Sequence, residues 1–244
     1  MKKNIYLLLL LATTLITCKK DHLLDCLKSA GKTVTEIRTA NPFTRIDLKN
    51  NVDLIIVPNK SFYIKVTAGE NIIDGIITEL SGETLYIRNE NRCNWMRSFK
   101  NQYTVEVGMD KPVKIDYYGS GNITCKDTIR TDEFFFDCWN GSGTIDLLFN
   151  CGKTHINNNI GRADYVVNGY SAVSFIYMND VSPINARGLQ TAYSYVRNRS
   201  TGDCHINVST DLVAEIEYNG NIFYSGNPSQ IIKNINGKGM VVAE

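Results

Sequence analysis

The sequence predicts an all-β protein whose C-terminal half is a stacked β-solenoid, preceded by a strand-rich N-terminal part. Three observations predict it. Turns marked by glycine or asparagine return every 16 to 22 residues from about Lys114 onward. Short β-favouring runs flank each turn, and within those runs apolar side chains alternate onto one face.

The repeat is clearest where it begins. Gly119-Ser120-Gly121 is followed by Gly141-Ser142-Gly143, then by turns at Gly161, Asn179-Asp180, Arg199 to Gly202, Asn219-Gly220 and Asn236 to Gly239. Glycine suits such turns because some require positive φ. A second, weaker set of turns falls between them, at Lys126-Asp127, Cys151-Gly152, Asn168-Gly169, Arg187-Gly188 and Asn227-Pro228. After each main turn an apolar pair shares one face: Ile123 and Cys125, Ile145 and Leu147, Ile184 and Ala186, Ile206 and Val208. Asn122, Thr124, Thr144, Asp146 and Asn207 take the other. Asn-Gly turns between alternating strands also suit antiparallel hairpins closed into a meander or barrel. Seven consecutive units in phase favour the solenoid, a rod of about 30 Å at a spacing of about 4.8 Å.

The preceding residues follow no period. Asp21 to Lys32 reads as a short helix capped by Asp21 and stopped by Gly31. Strands follow at Arg45 to Leu48, Val52 to Val57, Phe62 to Thr67, Thr84 to Arg88 and Tyr103 to Val107, with 72–80 ambiguous between strand and helix. The expected organisation is a signal peptide over 1–17, an anchor and leader over 18–42, a β-rich part over 43–112 and the repeat over 113–244. The last two parts can share one core, the first capping the second.

The address is written at the start. Lys2 and Lys3 precede a 12-residue apolar stretch, Ile5 to Ile16, too short to cross a bilayer permanently. It ends in Leu15-Ile16-Thr17-Cys18, which resembles the lipobox of bacterial lipoproteins, so Cys18 is the expected lipidation site and membrane anchor. Lys19-Lys20-Asp21 resembles the charged surface-export signal of Bacteroidetes lipoproteins. The expected location is the outer membrane of a Gram-negative envelope, on its periplasmic or surface face. Six other cysteines allow fifteen pairings, and none forms a Cys-x-x-Cys pair. Cys26 and Cys93 lie outside the repeat and are the expected disulfide. Cys125 and Cys138 follow the inward phase and read as small buried hydrophobes.

Composition excludes several functions. With 26 Lys+Arg against 25 Asp+Glu, there is no basic excess to meet a nucleic acid backbone. Three scattered histidines, His22, His155 and His205, offer neither a metal cage nor a hydrolytic triad, and no cofactor is expected. The glycine triplets open onto strands, not onto the helix N-terminus that a phosphate cradle needs. The enzymatic alternative is a polysaccharide lyase or hydrolase, which requires carboxylates clustered beside a base. Asp116 and Asp137 occupy matching positions in adjacent units and Asp146 follows the next turn, but no partnered base is visible. The binding alternative rests on Tyr118, Trp139 and Asn140, outward on successive units, with Asn158 and Asn219 nearby. Such a strip suits a glycan or a cell-surface protein, or a contact between copies of the chain. Structural support of the envelope is a third reading.

Several motifs in fixed order resemble the head GIN-domain family of auto-transporter adhesins. They are Phe43 to Leu48, Gly82 to Ile87, the two Gly-Ser-Gly units with their following Asn122-Ile123 and Thr144-Ile145, Tyr224 to Pro228, and Ile235 to Gly239. The resemblance spans about Phe43 to Val242 and departs from the family between Gly161 and Gly202, where Gly-Ser-Gly turns are missing. It implies a right-handed β-helix whose Gly-Ser-Gly turns link two sheets, with adhesion as its role and no catalytic residues.

Overall fold

The computed structural model describes residues 29–92 and 103–244. Its strands are β1 (Thr33–Arg38), β2 (Arg45–Asn50), β3 (Asp53–Pro58), β4 (Tyr63–Gly69), β5 (Ile76–Ser81), β6 (Thr84–Asn89), β7 (Thr104–Met109), β8 (Lys114–Gly119) and β9 (Ile123–Cys125). They continue as β10 (Ile129–Gly141), β11 (Thr144–Gly161), β12 (Asp164–Met178), β13 (Ile184–Asn198), β14 (Cys204–Ile216), β15 (Ile222–Ser225), β16 (Gln230–Ile235) and β17 (Val241–Ala243). The ambiguous stretch after β4 resolves into a short 3-10 turn, Ile73–Gly75, and then β5. The expected N-terminal helix falls largely on residues outside those described; Ser29 to Lys32 are not helical, and Gly31 has φ +79°.

From β8 onward every rung stacks on the next in parallel, so this is a β-solenoid and not a hairpin barrel. Ile145 sits on Ile123, Tyr165 on Ile145 and Ile184 on Tyr165, steps of 22, 20 and 19 residues. The step shortens to 18 between Cys204 and Ile222. Seven rungs, β8–β9 through β16–β17, enclose about six turns. Several of the weaker turns are bends inside long strands. In β11 the inward residues are Ile145, Leu147, Phe149 and Cys151, then Thr154, Ile156 and Asn158, so the alternation changes phase across Gly152-Lys153 without breaking the strand.

The N-terminal strands form rungs too, but in an order the chain does not follow. Ile46 of β2 pairs with Leu85 of β6 on one side and with Ile115 of β8 on the other. Likewise β3 lies between β7 and β9. The rung β2–β3 is thus inserted between β6–β7 and β8–β9, and its partners lie 39 and 69 residues ahead. That displacement hides the period from a linear reading. Beyond β6–β7 the stacking turns antiparallel: β4 pairs with β7, β1 with β4, and β5 with β6. These strands close that end of the solenoid. Strand β1, unmarked in the sequence reading, is mostly solvent-exposed and has little apolar alternation to announce it.

The interior is one continuous apolar column. Ile46, Leu54, Ile115, Ile123, Phe136, Ile145, Val167, Ala214 and Ile222 are fully or almost fully buried in a single cluster, each large side chain contributing about 1.5–3 kcal/mol. The Gly-Ser-Gly glycines serve this stacking in a different way from that expected. None of the four has positive φ. Instead, a Cβ on Gly121 would run into the Val52 carbonyl, and one on Gly143 into the Gly121 carbonyl. The backbone of each turn rests directly on the turn below, with Ser120 N–H donating to Asn50 O at 2.8 Å and Ser142 N–H to Gly119 O at 2.9 Å.

Candidate functional site

The outward-facing strip begins where Tyr117 of β8 pairs with Cys138 of β10. The next residues, Tyr118 and Trp139, leave neighbouring rungs side by side at 37% and 40% exposure. A bulge between Cys138 and Gly141 swings this strand end outward, and Asn140 sits in it, exposed, with φ +63°. Lys49 pairs with Tyr118 from the rung below, its Nζ 5.3 Å from the ring centre. Ile160 pairs with Trp139 from the rung above and is half exposed. Burial, followed by the Asp116 and Asp47 carboxylates, pushes the Tyr118 hydroxyl up, so it stays a hydrogen-bond donor. The other two asparagines do not join. Asn158 is fully buried and accepts from Tyr165 Oη at 3.2 Å. Asn219 follows β14, four rungs beyond Trp139.

A column of acids lies on the same sheet. Asp47, Asp116 and Asp137 stack in register, and Lys114 Nζ lies 3.0 Å from both Asp116 and Asp137. The sequence reading saw no partner for these carboxylates; Lys114 is that partner. Asp146 is not part of the group, since it pairs with Thr124 and Val166 in the opposite sheet. Burial opposes the Lys114 charge, but hydrogen bonds to Asp137 and Asp116 outweigh it and hold the ammonium above the usual lysine value. A lysine base for sugar chemistry needs the reverse shift. Asp116 is raised by burial, with Lys114 opposing and Asp137 and Asp47 adding.

The histidines are embedded in ladders. Phe135, His155, Phe175 and Tyr195 stack in one column, with His155 4.3 Å from Phe135 and 4.8 Å from Phe175, nearly parallel to both. His155 Nε2 also meets Glu133 at 2.9 Å. Rings stacked along the axis cover each other's faces and leave edges to solvent, so this ladder joins rungs and offers few open faces to a sugar. Its members recur at intervals of 20 residues, a signal the sequence reading passed over. His205 lies on Phe223 at 4.7 Å and meets Glu244 at 3.2 Å, while His22 is outside the described residues. Among the described residues no cluster of His, Cys, Asp or Glu could hold a metal.

A shallow hollow of about 440 Å³ crosses three rungs at a corner, lined by Lys111, Arg130, Asp132, Asn150 and Tyr170 among others. Its floor is ordinary ladder: Arg130, Asn150 and Tyr170 pair in register.

The geometry agrees with what the chain matches. Residues 42–228 match the family model described as "Putative auto-transporter adhesin, head GIN domain". The chain belongs to this family. Other head GIN-domain folds are seen in solved structures. A "putative adhesin" from Bacteroides fragilis is 18% identical, covering 87% of this chain and 97% of that one at a TM-score of 0.78. A "putative adhesin" from Parabacteroides distasonis is 15% identical, covering 88% and 98%, at 0.65. A "Putative lipid binding protein" from the same species is 18% identical, covering 88% and 97%, at 0.68. Among curated proteins nothing matches. The head GIN-domain match contains Tyr118, Trp139, Asn140 and the acid column, and ends before β16 and β17. An adhesin-like family points to a cell-envelope or surface location.

The cysteines of this head GIN-domain chain divide by position. Cys138, Cys151 and Cys204 are buried free thiols, and Cys125 is a partly buried one. Burial pushes Cys125 up to about 12 and Cys204 well up, which suppresses the thiolate. Cys18, Cys26 and Cys93 lie outside the described residues.

Proposed function

We propose that this chain is a lipid-anchored adhesin of the outer membrane, tethered through Cys18, that works by surface contact and performs no catalysis. Its contact edge is the strip of Tyr118, Trp139 and Asn140, extended by Ile160. The observation that supports this reading is the placement of two large aromatic side chains, well exposed, on neighbouring rungs whose interior is already filled. Exposed aromatics beside an aliphatic residue are the usual anchors of recognition surfaces. The partner is a glycan or a cell-surface protein. The acid column is satisfied by Lys114, which speaks against the polysaccharide-cleaving alternative.

The test is adhesion of whole cells carrying wild type or the Tyr118→Ala/Trp139→Ala double variant to immobilised glycans and to host-cell monolayers. Adhesion should fall at least about tenfold, the loss of about 1.4 kcal/mol, with thermal stability unchanged. Equal adhesion by a stably folded variant rejects the strip. Protease treatment of intact cells then separates surface display from the periplasmic face.

A further inference from the structure

The two ends of the solenoid differ. One is closed by the antiparallel strands β1, β4 and β5. At the other, β16 pairs only with β14 and β17 only with β15 among the described residues, so both present an edge of unpaired backbone groups. The register of β16 places Ile231, Lys233 and Ile235 over Leu212, Ala214 and Ile216. Those three lower residues are buried interior positions. The upper three therefore occupy the interior column of the last rung, where nothing covers them, and Ile235 is 46% exposed. Tyr218, Ile232 and Met240 are exposed nearby.

A lysine in that column is out of pattern. Its amine bends across the mouth of the solenoid to the Val241 carbonyl of the facing sheet, 3.2 Å away, and lies 5.7 Å from the centre of the Tyr224 ring. Another rung laid on this end would strip water from the ammonium, leaving one carbonyl and one ring face in exchange. Charged residues pointing inward at an open edge are a known means of preventing strand addition.

We propose that this end of the solenoid is a self-association face for a second copy of the chain, and that Lys233 holds it shut. The edge and the apolar mouth supply what an identical edge would need, brought together about a two-fold axis with the β16 strands antiparallel. The lysine is what stops it, and the wild-type protein stays monomeric through this face. The inference does not depend on the adhesive strip, which lies near the other end of the repeat.

Sedimentation velocity over a wide concentration range tests it, with Cys18→Ser in every sample so that no acyl chain contributes. Wild type and Lys233→Arg should sediment as monomers. Lys233→Leu should dimerise at least about tenfold more tightly, about 1.4 kcal/mol, and slow hydrogen exchange across Gln230 to Ile235. Adding Ile235→Lys to Lys233→Leu should restore the monomer. If Lys233→Leu fails to fold, Lys233→Met tests the same point with an unbranched chain. A folded Lys233→Leu or Lys233→Met protein that stays monomeric overturns the proposal, as does a wild-type dimer whose exchange is slowed at β16.

Discussion

Gly143 N–H donates to Tyr117 Oη across one rung at 3.1 Å, and the same hydroxyl donates to Gly121 O at 2.7 Å. One fully buried phenol therefore ties together the two Gly-Ser-Gly turns. Removing the oxygen alone, as in Tyr117→Phe, leaves a buried N–H and a buried carbonyl without it. The expected cost is about 1–3 kcal/mol, read as a lower urea midpoint at unchanged m-value.

The glycines of these turns are required by close approach. Gly143→Ala places a methyl group against the Gly121 carbonyl and the Tyr117 hydroxyl, so rungs must part and at least about 2 kcal/mol is lost. Gly82 is different: its φ is +59° and nothing lies within 4 Å of an added Cβ. Gly82→Ala should cost only the left-handed penalty of about 1–2 kcal/mol. Equilibrium unfolding of both variants checks the order.

Stability should fall on the alkaline side. Burial raises Tyr117 from 10.0 to about 12 and Cys125 from 9.0 to about 12. Both are neutral when protonated, and the folded state holds its protons longer than the unfolded chain does. Their contribution is complete below pH 9 and is lost as pH climbs toward 12. Urea midpoints measured across that window should decline, and a midpoint constant throughout would contradict the burial of these groups.

Lys114 neutralises a stack of acids, so its loss should be felt in folding and not in any turnover. Lys114→Met leaves Asp116 and Asp137 facing each other and should cost about 1–2 kcal/mol, moderated by partial solvent access. Asp116→Asn in the same background should recover part of this, because it removes one like charge. Thermal melts of the single and double variants decide it, and a gain in stability for Lys114→Met would refute the assignment.

Legibility differed by region. The repeat from Lys114 onward could be read because turn residues and inward apolar residues are local properties that recur at nearly constant spacing. The rungs before it could not be stacked by reading, because Ile46 finds Leu85 and Ile115 only through long-range pairing. The strip at Tyr118 and Trp139 was visible from strand phase, yet Asn158 was assigned to it wrongly. Its phase changes at the bend across Gly152-Lys153, and only the folded rung turns it inward. Lys114 was missed as the partner of Asp137 because the two are 23 residues apart in sequence and one rung apart in space.

The amino-acid sequence by itself determined the class of fold, the spacing of the rungs and the faces of most strands, since these follow from alternation and turn chemistry within each short segment. Tertiary structure alone decided the spatial order of the first rungs, the neutralised acid column, the phenol bridging two turns and the lysine across the open end. Each of these joins residues from different rungs, and such contacts exist only once backbone pairing has chosen which rung lies on which.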